Sequence, residues 1–556
     1  KTVSGTGGAI ASMLLGFPAS GSVTTSLPIE NHVSYYGFFV HDDFRLNSKL
    51  TMNFGVRYEY ETGLESALNT LVVGFDTNAI NPIQSQVTGI TTKGVLEYAG
   101  KNGYGTTAMN PNADKFSPRI GFAYNVMPKT TIRGGYGIFW APFTFSLVNP
   151  LGYTYATPYV ASNDGNATPA ASLSNPFPSG IQQPIGNGAG LNAGLGGQNL
   201  TFFSNDAHST RVHQFSLDIQ RELPGSFVVA LGYVGSITHN LIEGTPDINI
   251  NQLPDQYLSL GSALNSAVPN PFLGTPGGVL NLASATITKA KSLLPYPEFG
   301  TISMQSSDQN HALYNSVYFK VQKRLGHAVN ILSTYTWSKN EDASNGGAGN
   351  TFNSQQTTSQ DNYNRAAEWG LSTIDATNRW TTAINYELPF GTGRKFLARN
   401  KLLDIAVGGW AMNIQTTMQS GFPLAIYQTN QNSAIGTSVQ RPNATGIDPS
   451  TSGSPEDRLL DYINKAAFSA APQFTFGNLS RTLTLRGPGQ ANTDFSLFKT
   501  YAFEKVKAQF RAEVFNLTNT PQFYGPSTNL SASNFGVINS QANFNRVIQL
   551  GVRFEY

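Results

Sequence analysis

The sequence predicts an all-β protein, a transmembrane antiparallel β-barrel with long extracellular loops and short periplasmic turns. Three observations predict it. Apolar residues recur at every second position over much of the chain, the alternating stretches come in pairs joined by tight turns, and long polar connections separate the pairs. Composition narrows the alternatives. Of 556 residues 12% are charged and 40% are apolar, and 24 Tyr with 35 Phe leave too much aromatic surface for a disordered chain. The 35 basic and 33 acidic side chains leave a net charge of +2, and no Lys/Arg block creates a local field, so nucleic acid is not expected as a partner. The absence of Cys excludes disulfides, thiolate chemistry and Cys-ligated metal. No run approaches the ~18 to 20 apolar residues of a membrane-spanning helix. A mean hydropathy of −0.21 is nonetheless compatible with spanning strands, which alternate apolar with polar.

The elements follow in order. A first strand is expected near residues 31–46, followed by the turn Asn47-Ser48-Lys49. Residues 50–61 then place Leu50, Met52, Phe54, Val56, Tyr58 and Tyr60 on one face and Thr51, Asn53, Gly55, Arg57, Glu59 and Glu61 on the other. No helix sorts residues that way. Ile120, Phe122, Tyr124 and Val126 are separated from Ile132, Tyr136, Ile138 and Trp140 by a turn at Pro128. Phe215, Leu217 and Ile219 meet Phe227, Val229, Leu231 and Tyr233 through Pro224-Gly225. Val317, Phe319 and Val321 meet Val329, Ile331, Tyr335 and Trp337 through Leu325-Gly326-His327. The alternation continues in Trp380, Ile384, Tyr386 and Leu388, in Trp410, Met412, Ile414 and Met418, and in Val506, Ala508, Phe510, Ala512 and Val514. It ends with Ile548, Leu550, Val552, Phe554 and Tyr556. Counting through the tight turns gives about 13 strands. Between hairpins lie long stretches rich in Gly, Asn, Ser, Thr and Pro, such as 151–208, 240–310, 340–375, 428–490 and 518–544. Short turns at one end and long loops at the other are the asymmetry of an outer-membrane barrel.

The two faces differ in kind. One carries Leu, Val, Ile and Phe, with Tyr58, Tyr60, Trp140, Tyr233, Tyr335 and Trp337 toward the long-loop ends, as an interfacial girdle against lipid requires. The other carries Arg57, Glu59, Arg133, Lys320, Arg324, Lys507, Arg511, Glu513, Arg553 and Glu555, together with Asp218, Gln220, Gln322 and Gln509. Such groups need water or one another, so these ten charged residues are expected to line a lumen, with Glu59, Glu513 and Glu555 balancing Arg57, Arg511 and Arg553.

The run "FVHDDFRLNSKLTMNFGVRYEY" (39–60) resembles a hairpin of Oar-like TonB-dependent receptors of the acidobacterial type. So do "FSPRIGFAYNV" (116–126), "TIRGGYGIFWAPF" (131–143), "FSLDIQRELPGSFVVALGYVGS" (215–236) and "LSTYTWSK" (332–339). Later matches are "IDATNRWTTAINYELPFGTGRKF" (374–396), "QSGFPLAIY" (419–427), "RPNATG" (441–446), "LRGPGQANTDFSLFK" (485–499) and "FRAEVFNLTNTPQF" (510–523). The resemblance implies the C-terminal portion of a 22-stranded barrel that imports a scarce nutrient and is not an enzyme. It also implies energy from the inner-membrane TonB complex, which would be contacted through a missing N-terminal region. The ligand would be a small glycan, peptide or metal chelate. An outer-membrane surface or protein-secretion component on the same barrel is the alternative.

The expected organisation is 1–30 as an extracellular loop remnant and 31–556 as barrel, with the plug domain absent from this chain. The last strand must end in the periplasm, so an odd count places the first strand descending from outside, and 31–46 and 548–556 are expected to be unpaired edges. Phe554 and Tyr556 are expected to signal the barrel-assembly machinery, since such barrels resemble this chain in ending on an aromatic residue. The remaining motifs read as structural. In His41-Asp42-Asp43 adjacent side chains point to opposite faces and cannot converge on one ion, and no His-x-x-x-His pairing exists, so neither metal nor cofactor is expected. The Gly runs at 5–8, 188–197 and 346–349 lack the strand–helix context of a phosphate loop and read as flexible loop tips. No Gly-x-Ser-x-Gly elbow suggests catalysis. Irregular hairpin spacing counts against a propeller of fixed repeats.

Overall fold

The computed structural model describes residues 9–109, 113–143, 150–165, 167–242, 248–275, 284–325, 329–343, 358–391, 394–396, 401–503 and 506–556. Thirteen long strands follow the chain: β1 Tyr35–Arg45, β2 Leu50–Glu61, β3 Lys115–Met127, β4 Thr130–Trp140, β5 Arg211–Leu223, β6 Phe227–Leu241 and β7 Asn310–Leu325. They continue as β8 Val329–Asp342, β9 Asn378–Glu387, β10 Trp410–Gln419, β11 Gln490–Phe503, β12 Val506–Phe515 and β13 Val547–Glu555. Each pairs antiparallel with the strands before and after it, so the sheet is one meander without a crossover. Gly370–Leu371 adds a two-residue strand at the end of β8. β1 and β13 are the edges, and among the described residues they do not pair with each other. The sheet is therefore open, and these strands do not amount to a closed barrel of 22.

Local chemistry makes the turns. Asn47 Oδ1 accepts from the backbone N–H of Lys49 and Leu50 at 2.8 and 3.0 Å, an Asx-turn between β1 and β2. Pro128 pre-sets the β3–β4 turn and Lys129 follows at φ +65°, the pattern of a type II turn. Gly225 and Ser226, at φ +80° and +60°, close β5–β6. In the β7–β8 hairpin Leu325 pairs with Val329, and residues 326–328 lie outside the described residues. One connection at this end departs from the expected short turns. Between β9 and β10 the chain takes a longer path that includes the helix Lys401–Val407, with Asp404 packed against Gly391 and Gly408.

Among the described residues, the large hydrophobic clusters all lie at the opposite end. One gathers Val72, Phe75, Leu96, Tyr98, Leu200, Phe202, Phe272, Phe299 and Ile302, drawn from three different connections. A second gathers Leu424, Ile426, Ile463, Leu479, Leu530 and Ile538 from the β10–β11 and β12–β13 connections. Short sheets tie the connections together: Leu200–Phe203 runs parallel to Ile302–Gln305, and Ser22–Ser26 pairs with Thr154–Pro158. The long connections thus form a packed cap. The Gly run at 188–197 belongs to it and is no flexible tip, because Ala193 and Leu195 are buried and a Cβ on Gly194 would meet Leu200 at 2.2 Å. The other two Gly runs, 5–8 and 346–349, lie outside the described residues.

Register decides the faces, because residues directly opposite in a ladder share one. Phe54 faces Ile120, Tyr136 faces Phe215, Leu217 faces Tyr233, Val317 faces Trp337, Tyr335 faces Trp380, and Phe510 faces Val552, all on one side. Leu231 is 52% exposed, Phe319 48% and Leu550 78%. Apolar surface continuous over thirteen strands far exceeds the few hundred Å² that a soluble monomer tolerates. Charged residues on this face keep to its margins. Arg211, Lys339 and Glu341 lie at the long-connection end, and Asp42, Arg221, Lys323 and Lys499 near the turns. The 15 residues of β6 extend about 50 Å at ~3.3 Å per residue, enough to cross a ~30 Å hydrocarbon layer when tilted.

Candidate functional site

The polar face is the candidate site. Following the register from Arg57 across β3, Arg133 opposite Asp218, Lys320 opposite Thr334, Ser496 opposite Glu513 and Lys507 opposite Glu555 places all ten singled-out positions on this one side. Their pairing differs in part from the expected ladder. Arg57 Nε meets Glu59 Oε1 at 2.5 Å and Arg553 meets Glu555 at 2.9 Å. Arg511 does not pair with Glu513. It donates to Gln509 Oε1 at 2.8 Å and lies 5.5 Å from the ring of Phe498, which stands directly opposite it. Arg133 donates to Gln220 Oε1 at 2.9 Å. The side chain of Arg324 lies outside the described residues. Beyond this face, Phe554 is exposed on the apolar side of β13, opposite Ala508, and Tyr556 follows the strand fully exposed.

A cleft of about 870 Å³ opens on the polar face from β2 across to β7. Its floor is Gly121, Gly135 and Gly137, whose missing side chains make room for Asn53 over Gly121 and for Phe139 and Arg119 over Gly137, and Arg133, Gln214, Asp218 and Tyr314 also stand around it. Arg119 was missed in the sequence. Extending the parity of Gly121 back two positions would have found it. At the end toward the cap, Lys115 Nζ meets Glu61 Oε2 at 2.8 Å with both side chains buried, and Glu61 also accepts from the Phe143 N–H at 3.2 Å.

Above the strand ends, three largely buried ion pairs knit the cap together, and one of them ties it to the end of β8. Arg441 meets Glu368 at 2.5 Å, Arg481 meets Asp342 at 2.5 Å, and Arg486 pairs with Asp375. Arg486 also donates to the carbonyls of Asp375 and Gly421 at 2.8 and 3.0 Å. It therefore joins the stretches 374–396, 419–427 and 485–499. Some of the residues that carry the resemblance thus build the cap, which no local spacing reveals. A second cavity of about 530 Å³ lies inside the cap. Ile83, Leu151, Ile185 and Leu195 give it an apolar wall, Gln86, Tyr155, Asn192 and Gln198 add neutral polar groups, and among the described residues every side chain lining it is uncharged. Among the described residues, no three His, Asp or Glu side chains gather closely enough to hold a metal ion. His41 and Asp43 approach to 3.3 Å on one face while Asp42 lies on the other.

A continuous apolar face, a continuous polar face, and turns opposite a packed cap define a membrane β-sheet protein. The chain belongs to the outer membrane beta barrel domain family, whose pattern it matches over residues 1–549, and its place is the bacterial outer membrane. No curated protein matches it in sequence. Among solved structures it is similar to the ferripyoverdine receptor of the outer membrane of Pseudomonas aeruginosa, at 9% identity and TM-score 0.40 over 94% of this chain and 39% of that one. The outer membrane transporter YddB from Escherichia coli gives 11% identity and TM-score 0.40 over 94% and 54%. The ferric citrate transporter FecA gives 10% and 0.37 over 94% and 45%. The chain spans 39 to 54% of the length of these three proteins.

Proposed function

We propose that this chain forms the transmembrane sheet of an outer-membrane receptor that imports a scarce nutrient, with the polar face lining the passage and the cap facing outside. The observation that carries the reading is the polar face itself. It runs unbroken across thirteen strands, collects the charged side chains, and ends under a packed cap that contains an uncharged cavity. An inert anchor would need the apolar face only. The motif resemblance adds coupling to the inner-membrane TonB complex through an N-terminal region and plug. Strands additional to these thirteen would pair with the free edges of β1 and β13 and close the barrel. Residues 1–30 sit with the outer loops in this reading, as the pairing of Ser22–Ser26 with Thr154–Pro158 supports. Phe554 and Tyr556 serve the barrel-assembly machinery. The ligand is a small glycan, peptide or metal chelate.

The test compares cells with and without the full-length gene for uptake of radiolabelled glycans, peptides and ferric chelates. Import predicts that deletion lowers uptake of one class and that collapsing the proton gradient removes the difference. Unchanged uptake of all three, with loss of a secreted or surface protein, would replace import by secretion or display.

A further inference from the structure

At the cap end of the apolar face, three adjacent strands bring Tyr136 and Trp140 of β4, Arg211 and His213 of β5, and His239 of β6 together. Trp140 stands directly opposite Arg211, and Arg211 directly opposite His239. The Arg211 guanidinium lies 5.7 Å from the Trp140 ring, and the His213 and His239 rings meet edge to face at 5.5 Å. Tyr136 Oη is 2.7 Å from His213 Nδ1. A phenol donating there leaves the ring proton on Nε2, and His213 Nε2 is buried with no hydrogen-bond partner. Arg211 Nε is likewise buried and unpartnered. The carboxylate beside these strand ends, Asp308, is engaged by the His208 N–H and ring at 2.8 and 2.9 Å and by Asn240 at 3.1 Å. Among the described residues, donors are thus grouped on a surface that turns toward lipid without an acid to answer them. An isolated cation at this margin would be poorly satisfied, and the anion that a membrane supplies at headgroup depth is phosphate.

We infer that Arg211, His213 and His239, framed by Tyr136 and Trp140, form a site for the phosphomonoester headgroup of an outer-leaflet lipid. Arg211 offers a planar fork to phosphate oxygens, His213 Nε2–H adds a directed donor, and the aromatic rings border the upper acyl chain. The inference rests on the receptor reading only for the leaflet; the donor cluster stands without it.

The experiment uses the full chain in a neutral maltoside detergent and measures binding of dihexanoyl phosphatidic acid, dihexanoyl phosphatidylcholine and inorganic phosphate by native mass spectrometry. Phosphatidic acid should bind well above the other two. Arg211→Gln and His213→Gln should each weaken it about ten-fold, the scale of one charge-assisted hydrogen bond, while Lys323→Gln at the opposite margin leaves it unchanged. Heat-modifiable gel mobility verifies that each variant is folded. Unaltered affinity in folded Arg211→Gln and His213→Gln overturns the site. Equal binding of phosphatidylcholine overturns the headgroup assignment, and inorganic phosphate binding as tightly as the lipid makes it a soluble-anion site. Binding in micelles is independent of transport, so failure here with uptake intact removes this site alone.

Discussion

Burial pushes the Glu298 carboxyl up to about 7 and the Lys291 ammonium down to about 8 within the cap. The signs are opposite in consequence. Between the ordinary carboxyl value of 4.5 and about 7 the folded protein holds the extra proton, so cap stability falls as pH rises through that window. Between about 8 and 10.5 the unfolded chain holds the extra proton on Lys291, so stability rises again. Glu298→Gln should flatten the lower limb, measured as the difference in thermal midpoint between pH 5 and 7. An identical pH response in variant and wild type would contradict the burial argument. The sheet's own residues follow a different rule. Phe54→Arg should cost about 2 to 4 kcal/mol in denaturant titrations in lipid, because it puts charge in the lipid-facing band, whereas Asn53→Lys on the polar face should be nearly neutral. Equal costs would mean that the faces are misassigned.

At the scale of elements, the strands were legible and the cap was not, for one physical reason. A strand between two different environments must alternate, so Leu50 to Tyr60 and Ile548 to Phe554 announce themselves with no knowledge of their neighbours. The cap's clusters are assembled from positions with no common period. Leu253, Leu264 and Ala290 meet Ile435 and Phe474 from a separate connection, and Glu368 finds Arg441 73 residues away. The ten charged residues share a face because parity carries across the ladder, but their partners do not follow from parity, as Arg511 and Gln509 illustrate. The cap's tight points make a test. A Cβ on Gly421 would stand 1.8 Å from the Gly487 carbonyl oxygen, where neither backbone can yield cheaply. Gly421→Ala should therefore cost about 1 to 3 kcal/mol and loosen the 485–487 stretch, read as a lower thermal midpoint with faster proteolysis there. An unchanged midpoint would show that the stretch moves freely.

For the whole molecule, assembly and orientation are linked at the C-terminus. Deleting Phe554 to Tyr556 removes the last exposed aromatics of an edge strand and should leave the protein unassembled and degraded, read as loss of heat-modifiable mobility in outer-membrane fractions. Normal levels would remove these residues from assembly. The central claim is that a single sheet separates lipid from a water-filled passage. Because the chain has no Cys, single cysteines can be placed along residues 50–60 and spin-labelled without background. Accessibility to oxygen, which partitions into lipid, and to a water-soluble nickel chelate should then be measured in bilayers. The account predicts two period-two waves out of phase, oxygen highest at positions 52, 54 and 56 and nickel highest at 51, 53 and 55. Waves in phase, or no alternation, would contradict it.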